Sequence, residues 1–211
     1  MTKDKRLGLV LALNGTMVVA LVVVGLASHS LGVLAAGVDY LGDAAGVALS
    51  LVALRMSRHR HGHPRATSYA ALANATFLLL VTAVVIVEAL KRLIGGAPHV
   101  AGLPVVIVSL IAGAVMALCA LVIGTVGSED LNMRSVMLDT LADGASAAGV
   151  ALSGAIILAA KGAYWLDSAV ALGVAVIIAY HAIKLVREVL AHLREDPGAG
   201  EAGQASARGD R

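Results

Sequence analysis

Six stretches of this chain are apolar for long enough to cross a lipid bilayer, and nothing else in the sequence constrains its fold as tightly. Their approximate boundaries are 8–28, 31–54, 67–93, 101–124, 133–159 and 163–190. Each meets the roughly 20 helical residues needed to span a hydrocarbon core. Strands are not viable, because an open sheet edge cannot be satisfied in lipid and the short-period alternation of a membrane barrel is missing. Composition agrees: 59% of the 211 residues are hydrophobic and only 14% are charged. A soluble domain runs at about half apolar and a quarter charged. The expected fold is an all-α membrane protein with six transmembrane helices.

The placement of charge orients these spans. Putting the N-terminus, the second-to-third loop, the fourth-to-fifth loop and the C-terminus on one side collects 13 of the 16 Lys and Arg residues there. Only Lys91, Arg92 and Lys161 fall outside. By the positive-inside rule both termini are expected in the cytoplasm. Residues 1–195 are expected to form a single six-helix transmembrane domain, and residues 196–211, rich in Gly, Ala and charge, a short disordered tail. Lys3, Lys5 and Arg6 precede an apolar run too long for a typical signal-peptide core, so the first span is expected to be retained. The one cysteine, Cys119, rules out an intrachain disulfide. No basic stripe with interleaved aromatics exists, so no nucleic-acid partner is expected.

Very few ionisable residues sit deep in the spans, and four of them are aspartates in two matching pairs. Asp39 and Asp43 lie in the second span and Asp139 and Asp143 in the fifth. The i, i+4 spacing stacks each pair on one helix face, one turn apart. The two spans run in opposite directions, yet both pairs reach about the same depth near mid-bilayer. A charge at that depth costs several kcal/mol. Four carboxylates facing one another repel, and some must stay protonated unless a cation sits among them. A divalent metal taking one oxygen from each Asp resolves the repulsion. The competing structural reading makes them scattered polar residues hydrogen-bonded to neighbouring helices. Gly37, Gly42 and Gly46, and Gly144, Ala145, Ala147 and Gly149, flank the pairs and allow close helix approach. Both segments read Asp-x-Leu-x-Asp, with Gly-Val-Ala-Leu-Ser at 46–50 and again at 149–153. The differing spacing and the Ala/Gly bias keep this short of an established internal repeat.

With these pairs, the stretches Ser30-Leu31-Gly32-Val33-Leu34-Ala35-Ala36, Tyr69-Ala70-Ala71-Leu72-Ala73-Asn74-Ala75, Glu129-Asp130-Leu131-Asn132-Met133-Arg134 and Tyr164-Trp165-Leu166-Asp167 resemble the cation diffusion facilitators. The likeness covers about residues 8 to 195. It implies a non-enzymatic, proton-coupled exporter of divalent transition metals, working as a homodimer by alternating access; a short chain with no targeting peptide is expected in a prokaryotic plasma membrane. The metal is then held by the residues matching Asp39, Asp43, Asp139 and Asp143, as transported substrate rather than cofactor. Many zinc members carry His at the positions of Asp39 and Asp139. The all-carboxylate set here slightly favours manganese over iron, zinc, cobalt or cadmium. Most members continue after the sixth helix into a cytosolic metal-binding domain, and this chain ends instead, so it is expected to be a short form whose pairing rests on membrane helices. In some members residues matching His59 and His63 bind a second metal. The competing reading of that loop is a solvated basic segment that fixes topology.

Other polar residues have structural readings. Asn14 is expected to make a structural interhelical hydrogen bond, with a bond near the aspartate site as the competing reading; Glu88 is expected to pair with Lys91 or Arg92, and His29 and Asp167 to lie structurally at the outer rim. Two other function classes compete with a carrier. Asp139-Thr140-Leu141-Ala142-Asp143-Gly144 superficially resembles the motif of membrane phosphatidyltransferases, but that chemistry needs all its carboxylates in one stretch. A non-transporting partner subunit has no use for all four aspartates.

Overall fold

The computed structural model describes residues 3–58, 64–124 and 131–195, with side chains described over 8–49, 51–52, 68–119 and 143–191. His59, His63 and the tail at 196–211 lie outside the described residues. Among those described there are six helices and no strand: α1 (Lys3–Ser28), α2 (Leu31–Arg58), α3 (Pro64–Gly95), α4 (Gly102–Gly124), α5 (Leu131–Ala160) and α6 (Trp165–Glu195). Prolines respect these boundaries. Pro64 opens α3, Pro98 lies between α3 and α4, and Pro104 sits in the first turn of α4, where a missing N–H costs nothing. Several helices outrun the apolar segments that predict them. α2 continues to Arg58 and α6 to Glu195, because polar residues beyond the hydrocarbon still keep helical hydrogen bonds.

All six helices are long and apolar enough to cross a membrane. Large apolar side chains point outward all round the bundle, among them Val19 and Leu26 on α1, Leu80 and Val84 on α3, Leu110 on α4 and Leu152 on α5. That surface suits lipid and not water. With apolar side chains equally content outside, packing has to come from shape, and glycines supply it.

Within the bundle α3 packs most extensively on α6, α4 on α5 and α1 on α2, while α2 and α5 meet only narrowly. The α4–α5 contact is closest at Gly102 and Gly154. A Cβ on Gly102 would stand 2.6 Å from the Gly154 carbonyl oxygen, a backbone atom that cannot turn aside. Gly102→Ala is therefore expected to lower thermal stability in detergent by about 1–3 kcal/mol, the usual cost of overpacking. A melting temperature equal to that of the unaltered chain would refute this close approach.

Candidate metal site

Helix α2 starts from a tight turn. His29 takes a left-handed φ of 57°, a conformation that His tolerates better than most residues. Ser30 then caps the helix, its Oγ accepting the Val33 N–H at 3.1 Å. A second cap comes from α6. The Asp167 carboxylate accepts the Ser30 hydroxyl, the Leu31 N–H at 2.7 Å and the Gly32 N–H at 3.3 Å. These are amides that the first helical turn leaves without partners. The sequence places Asp167 at the rim; the structure buries it completely, at 0% exposure. Arg92 of α3 secures the same turn by donating to the His29 carbonyl at 2.8 Å, while its Nε bonds Glu88 at 3.2 Å. The expected pairing of Glu88 is thus made by Arg92.

Farther along α2 the paired aspartates come into position. The Asp39 and Asp143 side chains approach each other across the α2–α5 contact, and Asp43 stands close enough to act on Asp39 electrostatically. All three are half-buried. The register has a second fixed point. A Cβ built on Gly32 would lie 3.4 Å from Val150 of α5. Asp39 follows Gly32 by seven residues and Asp143 precedes Val150 by seven. In two antiparallel helices, both pairs therefore fall at matched levels on facing sides. Asp139 lies on α5 one turn before Asp143, at the backbone level of Asp43, and its side chain is outside the described residues.

Two neighbours were not singled out in the sequence as site residues. Tyr40, inside the first Asp-x-x-x-Asp motif, is buried and donates its hydroxyl to the Ala112 carbonyl of α4. Cys119 of α4 lies near Asp43. Tyr40 thus ties the acidic face of α2 to α4. No spacing in the sequence signals either contact. Asn14 departs from expectation: it is buried, but its Oδ1 has no hydrogen-bond partner. It lies on the stripe of α1 that includes Leu21 and Gly25, which pack on Gly37 and Leu34 of α2. Counting round α2, that side is opposite the one carrying Asp39 and Asp43.

Among the described residues no three His, Cys, Asp or Glu side chains are arranged to hold one metal ion. Asp39 and Asp143 instead face each other across the α2–α5 contact. Asp43 stands near Asp39, and Asp139 lies one turn before Asp143 on α5.

Residues 7–193, which take in nearly all of the six helices, match the cation efflux transmembrane domain. The chain is 37% identical over 163 residues to the zinc transporter ZitB of Pectobacterium atrosepticum, a match covering 74% of this chain and 50% of that one. It is 31% identical over 203 residues to ZitB of Yersinia pseudotuberculosis, covering 92% and 64% respectively. A cadmium, cobalt and zinc/H(+)-K(+) antiporter of Bacillus velezensis is 28% identical over 171 residues, covering 76% and 54%. The chain spans about half to two thirds of the length of these curated relatives. Six membrane helices and bacterial relatives mark an integral inner-membrane protein. The family is one of transporters, which sets aside the phosphatidyltransferase reading. On its helices and its match from end to end of the bundle, the chain belongs to the cation efflux transmembrane family.

Proposed function

We propose that this chain carries a divalent transition-metal cation out of the cytoplasm in exchange for protons, holding the cation among Asp39, Asp43, Asp139 and Asp143. The observation that carries this reading is the approach of Asp39 to Asp143, at the level fixed by the contact of Gly32 with Val150. It brings the two acidic motifs together across antiparallel helices. A cation entering between them displaces a proton, and a returning proton displaces the cation. One set of oxygens thereby couples the two flows. Relatives named as zinc transporters and as a cadmium, cobalt and zinc antiporter support the class of substrate and the exchange. The all-oxygen donor set tilts preference toward manganese. Both termini face the cytoplasm in this reading, and the working unit is a homodimer.

Proteoliposomes of the purified chain, acidic inside, test it against manganese, zinc, cadmium, cobalt and iron(II). External cation is expected to accumulate as protons leave, with manganese the best substrate. Raising external pH is expected to lower KM, because fewer protons compete for the carboxylates. Uptake that ignores the pH gradient rejects the exchange; no uptake of any cation rejects the carrier.

A further inference from the structure

A carboxylate buried to 0% exposure in the first turn of a membrane helix is costly unless it is fully bonded. Asp167 meets that demand with the Ser30 hydroxyl and two N–H groups of α2, and thereby ties α6 to the start of the helix that bears Asp39 and Asp43. Arg92 of α3 lies near enough to act on its charge. The hold is tight. A Cβ on Gly32 would stand 3.0 Å from Asp167 Oδ1 on one side and 3.4 Å from Val150 of α5 on another. So the first turn of α2 is wedged between the α6 carboxylate and α5.

We propose that Asp167 is a positioning residue: by gripping the first turn of α2 it sets the height and rotation at which Asp39 meets Asp143. Gly32 and Asp39 lie seven residues apart on one face of α2, roughly 10 Å along the helix. A change of rotation at the capped turn is carried by a rigid helix to the carboxylate two turns on. The α2–α5 contact is narrow, so few side chains between those two helices hold that register. This role deepens the carrier reading and rests on it for its functional meaning, but its geometric content stands alone. A residue serving only stability would lower the melting temperature and leave the Asp39–Asp143 approach unchanged.

The test measures that approach directly in the full chain. With Cys119→Ser in place, the pair Asp39→Cys and Asp143→Cys is oxidised in membranes, and disulfide formation is timed. The pair is expected to cross-link readily, and adding Asp167→Asn to slow it roughly tenfold or more, since small misplacements penalise reaction steeply. Asn offers only one acceptor oxygen and turns its NH2 toward the amides of α2. Ser168→Ala, a buried neighbour outside the cap, is expected to leave the rate unchanged. Should Asp167→Asn fail to fold, Gly32→Ala displaces the same carboxylate and is expected to slow the reaction as well. In the chain with all four aspartates, Asp167→Asn is expected to raise KM for manganese more than it lowers kcat. An unaltered cross-linking rate in a folded Asp167→Asn protein, or in Gly32→Ala where that variant replaces it, overturns the proposal. Absence of flux in the parent chain rejects the carrier reading instead, and the cross-linking result still decides the role of Asp167.

Discussion

Asp143→Asn is expected to lower cation uptake by about a hundredfold or more while the protein stays folded. Asparagine has nearly the shape of aspartate and can donate an amide N–H to Asp39, so the α2–α5 contact survives. What disappears is a negative charge beside the cation. At about 4 Å and the moderate effective dielectric of a protein, one pair of unit charges interacts by about 4 kcal/mol, and even about 3 kcal/mol of that is roughly a hundredfold in affinity. Stability should not suffer, because the variant removes a carboxyl group that must otherwise share a proton or repel its neighbour. Asp43→Asn is expected to behave alike, as Asp43 acts on the same cluster. The measurement pairs initial uptake rates in proteoliposomes with a melting curve in detergent. Full uptake by either folded variant would show that the cation does not depend on these carboxylates.

Much of this was legible in the sequence, for a physical reason. Lipid admits few backbone solutions, so six apolar runs announce six helices. A carboxylate deep in such a run is too costly to be idle, which singled out Asp39, Asp43, Asp139 and Asp143. The equal depth of the two pairs is a matter of counting along two helices, and Asp39 and Asp143 lie near each other across them. What escaped depends on which helix faces which. Asp167 bonds residues 135 to 137 positions earlier, and no local pattern encodes such a juxtaposition. Tyr40 reaches the Ala112 carbonyl, a group every residue possesses, so no side-chain spacing marks it. Asn14 was legible as a polar residue in an apolar helix, but not the lack of a partner for its Oδ1. His59, His63 and the Asp139 side chain fall outside the described residues.

Selectivity is the more demanding test, because it asks what kind of donor the site presents and not only whether it is charged. Asp39→His is expected to shift preference from manganese toward zinc, raising the ratio of kcat/KM values for the two by about tenfold or more. Carboxylate oxygen suits harder ions such as manganese, while imidazole nitrogen suits zinc at a short, directional distance. Asp39 is the informative position because it faces Asp143 on the opposite helix, so a donor placed there faces the cluster. The same change alters the pH response. An imidazole of ordinary pKa, near 6.5, gains a proton as pH falls through that value and ceases to be a ligand. Zinc uptake by the variant should therefore collapse below about pH 6.5, where the carboxylate-only site still competes for its cation. Uptake of zinc and manganese from an equimolar mixture, followed from pH 6 to 8, reads both effects. An unchanged ratio would mean that discrimination arises away from Asp39, through the geometry of the pathway rather than the chemistry of its ligands.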